Sequence, residues 1–216
     1  MIKNLNVLYE DNHVIVVLKP SNMLSQADIT NDPDMLSIVK SYIKEKYNKP
    51  GNVYVGLVHR LDRMTSGIMV FAKTSKAASR LNEQILNGDF RKKYLAVVEG
   101  LPPEKGEFVD YLYKDENKVK SFVVDKDKGK LSKLRFETKK RGQNQSLVEI
   151  ELITGRHHQI RVQFSSRGYP LVGDVLYDSK IKKEIKLCAY YLSFLHPVKK
   201  EKMEFIEYPR WKDEEI

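Results

Sequence analysis

The sequence predicts an α+β fold: a mixed, largely antiparallel β-sheet with flanking helices. Three observations carry that expectation. Short apolar runs alternate with period two and end in turn residues, two longer runs have helical spacing with recognisable caps, and no internal repeat or long low-complexity linker interrupts them. VLYEDNHVIVVLKP (residues 7–20) reads as two strands around a polar turn, with Pro20 ending the second. DPDMLSIVKSYIKEKYNKPG (32–51) reads as a helix, with Asp32 as its cap, Pro33 at the first helical position, and Met35, Ile38, Val39, Tyr42 and Ile43 on one face. Residues 53–58 and 67–73 read as strands joined by a polar loop. TSKAASRLNEQILNG follows as a second helix between Thr74 and Gly88. YLAVV, within 93–98, is a strand, and 110–138 is read as one hairpin turning through DKDKGK. SLVEIELI places Val148, Ile150 and Leu152 opposite Glu149 and Glu151, the pattern of a half-buried strand. Thr154, with Gly168 and Pro170, brackets a third helix, and LCAYYLSFLHP and KMEFI supply late strands. One domain spanning 1–216 is the simplest organisation.

At 216 residues, 41% of them hydrophobic, the chain can bury a core and is not a disordered tail. Its 38 Lys and Arg against 29 Asp and Glu give a net charge of +9, which favours an anionic partner such as nucleic acid or else a lysine-rich solubility surface. The single cysteine, Cys188, excludes an intrachain disulfide and a cysteine-cluster zinc site. No apolar run reaches membrane-spanning length, and MIKNLNVLYEDNH lacks the apolar core of a signal peptide, so a reducing cytoplasm is the expected setting.

Chemistry concentrates in three places. VHRLDRMTSG (58–67) sets Asp62 between Arg60 and Arg63, and an opposite charge within reach lowers an Asp pKa by about 1 to 3 pH units. An ionised Asp can act as nucleophile or general base, while a structural ion pair or turn cap is the plainer role. TGRHHQIRVQF (154–164), if helical throughout, puts Arg161 one turn from His157 and His158 and on the face of His157. Adjacent helical histidines diverge and no third ligand follows, so phosphate contact by Arg156 and Arg161 fits better than zinc. A solvated basic face is the plainer alternative. FRKKYLAVVEG (90–100) places Tyr94 just inside a strand, suited to stacking on a base or to ordinary core packing.

Together HRLDRMTSG, RKKYLAVVEG, ITGRHHQIRVQFSSRGYPLVGDVLYD and LCAYYLSFLHP resemble the RluA-type family of RNA pseudouridine synthases, over nearly the whole chain. The resemblance implies the pseudouridine synthase fold with a central RNA-binding cleft, and an isomerase that rejoins uracil to ribose through carbon without cofactor or metal. It implies that Asp62 is the essential aspartate, Arg161 its ion-pair partner, and Tyr94 the residue that stacks on the target base. Arg60 would fill the space left by a flipped nucleotide and Leu171 would wall the base pocket. Leu61, Thr65, Arg156 and Gln159 fall in the same strings as candidate substrate contacts. The implied partner is structured RNA, tRNA or rRNA, met by a monomer with no membrane association. Two departures stand out: Gln163 where the family commonly has histidine, and Cys188 in LCA where it commonly has LHA. LNVLYEDN reads as a strand from the start, leaving no room here for the small N-terminal RNA-binding domain of larger members, so target choice is expected to rest on the catalytic domain. A catalytically silent RNA-binding protein is the rival; a metal-dependent nuclease built on Asp62 and Asp174 lacks ligand spacing.

Overall fold

A computed structural model describes residues 5–214. Along the chain run β1 (Val7–Glu10), β2 (Val14–Lys19), α1 (Met35–Lys46), β3 (Gly56–Leu57), β4 (Ser66–Ala72), α2 (Ser75–Asn87), β5 (Arg91–Glu99), β6 (Lys105–Asp115), β7 (Lys120–Val124), β8 (Lys130–Arg141), β9 (Gln145–Leu152), α3 (Gln159–Ser165), β10 (Leu187–Leu195) and β11 (Lys202–Ile206). They cluster into two compact units, one formed by the residues up to Arg91 with Ala189–Glu207, the other by Lys92–Cys188 with the residues from Tyr208 onward. The α+β expectation holds: β1 with β2, β2 with β4, β3 with β4, β5 with β9, β6 with β7, β8 with β6 and β9, and β10 with β11 all pair antiparallel.

In the first unit the strand order is β1-β2-β4-β10-β11, with β3 also on β4. Val14, Ile15, Val16 and Val17 are all fully buried, as are Met69, Val70, Phe71 and Ala72. Such unbroken apolar runs form where both faces of a sheet are covered. On one face Val14, Val16, Ile68 and Val70 pack with Leu81 of α2 and with Phe90 and Phe194. Each such side chain contributes about 1.5–3 kcal/mol by leaving water.

The helix boundaries follow their caps. Asp34, not Asp32, caps α1: its carboxylate accepts from Ser37 N at 3.0 Å. The reason is a backbone bridge between Leu24 and Asp34, with Met35 N donating to Leu24 O at 2.8 Å, which holds Asp34 extended and delays the first helical residue to Met35. For α2 the expected cap is found, Thr74 accepting from Ala77 N at 3.1 Å, and Gly88 closes the helix at φ 82°. Thr74→Ala is expected to lower unfolding stability by about 1 kcal/mol in urea denaturation. A midpoint equal to wild type would show that tertiary packing alone sets this helix start.

In the second unit the order is β5-β9-β8-β6-β7. The single hairpin expected over 110–138 is a three-stranded meander. β6 pairs with β7 through Tyr113↔Phe122 and with β8 through Phe108↔Leu134. The extra turn is made by Asp115, whose carboxylate accepts from Asn117 N at 3.0 Å and Lys118 N at 3.1 Å, a side-chain turn signal in DEN that periodicity alone passes over. On β9, Val148 and Ile150 are buried as expected. Leu147 is buried too, so the opposite face is partly covered there. Phe164 of α3 meets Phe108 at 5.0 Å and Phe136 at 5.3 Å between ring centroids, fixing the helix on the sheet.

The third helix starts at Gln159, five residues later than Thr154. His158 sits in the left-handed region at φ 52°, which no continuing helix permits, and Thr154 Oγ1 is drawn to β8, accepting from Lys133 N at 2.7 Å.

Candidate active site

In the first unit the polar loop between β3 and β4 is a turn held from behind by the segment that follows β2. Lys19, fully buried at the end of β2, donates to three carbonyls: Pro20 at 3.0 Å, Met23 at 2.7 Å and Arg63 at 3.0 Å. Ser25 Oγ donates to Leu61 O at 2.7 Å and accepts from Leu61 N at 3.0 Å, and Ser21 Oγ donates to Met64 O at 2.9 Å. Thr65 N donates to Asp62 O at 3.0 Å and closes the turn. His59 Nε2 accepts from Val70 N at 3.0 Å, anchoring the loop's entry to β4.

This frame buries Leu61 and Thr65, exposes Arg60 and leaves Asp62 partly accessible. Arg63 was expected beside Asp62. Its guanidinium turns instead to Asp32 at 2.6 Å and Asn22 at 2.9 Å, so the aspartate's neighbour in sequence is engaged elsewhere. Lys19 is a cation electrostatically coupled to Asp62, which residue spacing did not reveal.

Burial pushes the Lys19 ammonium down to about 7, against the pull of Asp62 and with added push from Arg63. Three carbonyl acceptors form a set that only the charged amine can fill. Unfolded, the group titrates near 10.5; folded, near 7. Between those values the unfolded chain binds more protons, so the Lys19 contribution to stability rises with pH across that window and is flat below it. Urea midpoints of wild type are therefore expected to climb relative to Lys19→Met from pH 7 toward pH 10. Parallel curves for the two proteins would sink this reading of Lys19.

In the second unit Tyr94, 4% exposed, lies on β5 opposite Ile150 of β9. Lys92, two residues earlier, shares its strand face. The Lys92 ammonium stands 3.8 Å from where a Cβ on Gly155 would lie, and burial lowers its pKa. Leu171 is fully buried in an isolated antiparallel bridge to Val98. The Gln159 amide is engaged at both ends: Oε1 accepts from Thr154 Oγ1 at 2.8 Å and Arg156 N at 3.0 Å, while Nε2 donates to Lys133 O at 3.1 Å. It staples the turn before α3. Arg156 Nε donates to Leu131 O at 3.1 Å while the residue remains exposed.

Arg161 is 5% exposed and binds Asp174 side-on, Nε to Oδ2 at 2.6 Å and Nη2 to Oδ1 at 2.8 Å. His157 does not share a helical face with Arg161, because both histidines precede the helix. Nor do the two rings diverge; they stack at 3.8 Å between centroids. His158 Nδ1 lies 3.0 Å from the Tyr177 hydroxyl. Burial first, and then Arg161, push His158 down to about 2, so it is neutral at any physiological pH. Gln163 is buried, Nε2 donating to Asp110 Oδ2 at 2.7 Å, and Cys188 is buried.

The structure thus gathers Arg60, Leu61, Asp62 and Thr65 on one turn of the first unit. Tyr94, Arg156, Gln159, Arg161 and Leu171 belong to β5, the turn before α3, α3 and the segment after it in the second. Lys19 and Tyr177 were not singled out from the sequence, and Asp174 was named only in the rival nuclease reading. The signal for Lys19 was a lone lysine closing a fully apolar strand, and for Asp174 and Tyr177 the GDVLY string beside a buried arginine.

Comparison with known proteins shows the family to which these elements belong. Residues 13–166 match the family described as RNA pseudouridylate synthase. The ribosomal large subunit pseudouridine synthase C of Buchnera aphidicola subsp. Baizongia pistaciae is 35% identical over 213 residues, covering 93% of this chain and 66% of that protein. The ribosomal large subunit pseudouridine synthase D of Zymomonas mobilis is 32% identical, covering 93% and 68%. An uncharacterized RNA pseudouridine synthase of Bacillus subtilis is 34% identical, covering 94% and 68%. The chain therefore spans about two thirds of the length of the curated relatives it matches. Among solved structures, human RNA pseudouridylate synthase domain containing 4 superposes with a TM-score of 0.79 at 21% identity, over 95% of this chain and 89% of that one. That likeness fixes the fold.

Proposed function

Because the chain belongs to the RNA pseudouridylate synthase family, we propose that it isomerises uridine to pseudouridine in ribosomal RNA of the large subunit. The observation that carries this is the Asp62 turn: a carboxylate left partly accessible by a loop whose backbone is fixed at four atoms by Lys19, Ser21 and Ser25. Preorganisation of this kind is what a reacting group needs and a mere binding surface does not. The names of the relatives favour large-subunit rRNA over tRNA.

In this reading Asp62 carries the chemistry as nucleophile or base, Tyr94 meets the uracil, and Arg161 supplies the cation that keeps an anion charged in a dry site. The uracil leaves the ribose through nitrogen, turns, and is rejoined through carbon, with no cofactor or metal in the sequence of steps. A uridine within folded RNA must first be flipped out, at a cost of about a few kcal/mol. The exposed Arg60 fills the vacated stack, and Leu171 walls the base. Leu61, Thr65 and Gln159 act behind these groups, since their polar or apolar atoms hold the loops in place, while the exposed Arg156 meets phosphate. The net charge of +9 supports the grip on the RNA backbone. The chain works as a single catalytic domain, monomeric and cytoplasmic.

The test uses total RNA from a strain lacking the gene, incubated with purified protein and mapped by carbodiimide-blocked reverse transcription. A new stop in large-subunit rRNA is the expected result. A stop confined to tRNA would move the substrate, and tight RNA binding with no stop would favour the silent RNA-binding reading.

A further inference from the structure

We propose that the outer face of the β6–β7 hairpin is a platform for an unpaired nucleotide of the RNA, one other than the uridine that reacts. Tyr113 and Phe122 stack on its base, while Lys118 and Lys120 meet the phosphates beside it. The inference rests on the reading that the partner is RNA, and it adds a contact outside the groups which that reading uses. All of these residues lie in the second unit.

The two faces of this hairpin are built differently. Leu112 and Ser121 are buried on the inner face, where Leu112 packs with Val162 of α3 and with Tyr177. Ser121 N donates to the Tyr177 hydroxyl at 2.7 Å, and Ser121 Oγ donates to His157 O at 2.9 Å. The hairpin is thereby pinned to α3 and to the turn before it. Tyr113 and Phe122 alternate with those residues along their strands, so they share the outer face, directly opposite one another. Tyr113 is 51% exposed, Phe122 is half-buried, and Val119 in the turn is 61% exposed. An antiparallel sheet face open to water ordinarily carries polar side chains. The same face does so farther along β6, where Glu107 meets Arg135 at 2.9 Å and Lys133 at 3.1 Å. At the hairpin that pattern gives way to a pair of aromatic rings.

The charges beside the rings indicate what suits them. The Lys118 ammonium stands 5.5 Å from the centre of the Phe122 ring and the Lys120 ammonium 5.8 Å. Lys120 forms no ion pair among the described residues. Lys118 has Asp115 at 3.7 Å, a carboxylate whose other oxygen already holds the turn. From residue 114 to 135 the chain carries eight lysines and arginines against four aspartates and glutamates, so the surroundings favour an anion. Aromatic rings beside ammonium groups fit a polyanion whose bases have apolar faces: the rings take a base, the lysines its phosphates. The base must be unpaired, because in a helix its faces are covered by its neighbours. With the inner face already fixed, little of the platform is left to order on binding.

The experiment measures the affinity of the whole chain for a single-stranded RNA oligonucleotide of adenosine and cytidine alone, which offers no uridine to the reaction. Tyr113→Ala is expected to weaken binding by about tenfold at one fixed salt concentration, the loss of one stacked base. The Tyr113 hydroxyl makes no hydrogen bond among the described residues, so Tyr113→Phe should stay within about twofold of wild type. Lys118→Gln combined with Lys120→Gln is expected to flatten the slope of log affinity against log salt by about 1.4, the share of two phosphates on a single strand. Unchanged affinity in Tyr113→Ala, an equal loss in Tyr113→Phe, or an unchanged salt slope in the lysine variant would overturn the proposal.

Ultraviolet cross-linking of the same oligonucleotide gives a readout independent of affinity. Peptides carrying Tyr113 or Phe122 are expected to bear the cross-linked nucleotide, and cross-links confined to other peptides would overturn the platform. A wild-type dimer that Tyr113→Ala dissolves would assign the patch to a second copy of the chain, and overturn it too. Because the probe holds no uridine, the two readings fail separately. If wild type makes no pseudouridine in rRNA while Tyr113→Ala loses its grip on the oligonucleotide, the platform stands and the proposed function fails. If pseudouridine forms and Tyr113→Ala holds the oligonucleotide as wild type does, the platform alone fails.

Discussion

Asp62→Asn is expected to reduce pseudouridine formation by about 1,000-fold or more while changing RNA affinity by less than about threefold. The size follows from the role: an amide is neither a nucleophile nor a base at neutral pH, so no part of the carboxylate's chemistry survives. The small effect on binding follows from the structure. The turn is fixed by backbone groups, with Thr65 N bonded to the main-chain oxygen of residue 62 and Ser25 bonded to both backbone atoms of Leu61. None of these bonds involves the Asp62 side chain, so the loop's path should survive the change. Rate and affinity measured on the same rRNA fragment decide it. A variant that still makes pseudouridine at more than a tenth of the wild-type rate would remove Asp62 from the chemistry.

Gly67→Ala is expected to destabilise the protein by about 3–5 kcal/mol, enough to leave little folded protein at 37 °C. Gly67 closes the HRLDRMTSG string at φ 131°, a conformation that residues with a Cβ rarely adopt. It also pairs with Lys19 across β2–β4. An added Cβ would lie 2.6 Å from Ala189 N and closer still to its carbonyl oxygen, against the backbone of β10, which cannot move as a side chain could. Two independent costs therefore fall on one methyl group. By contrast, a Cβ on Gly88 meets nothing within 4 Å, so Gly88→Ala should cost only what its positive φ demands, about 1 kcal/mol. Equal midpoints for the two variants in thermal unfolding would show that the close approach to β10 is relieved by strand movement.

Much of this was legible in the sequence, and the reasons differ by element. The strands β2, β4, β5 and β9 announced themselves because burial on a sheet imposes apolar runs, and α2 because both of its caps are read from single residues. The α1 cap was misplaced by two positions because a tertiary bridge to Leu24, invisible in local sequence, decides where the chain may start to coil. The β6–β7–β8 meander was read as a hairpin because its first turn is made by an aspartate side chain and not by glycine or proline. Among the site residues, the clustering of Arg60 to Thr65 followed from adjacency. Buried supports are another matter. Lys19 stands 44 positions from the Arg63 carbonyl it holds, and no spacing rule connects them. Arg161 was recognised, yet its engagement with Asp174 thirteen residues on lay beyond any helical periodicity.

The way the Asp62 turn is tied down has a consequence for variation. Lys19, Ser21 and Ser25 grip main-chain carbonyls and one main-chain N–H, groups that every amino acid but proline possesses. Replacing the outward side chains at 60, 63 or 64 leaves those handles untouched. The loop can therefore change what it shows to RNA without changing where it holds its carboxylate. If the loop meets RNA as proposed, such a turn lets a lineage retune its choice of uridine by single substitutions that leave the backbone grip in place.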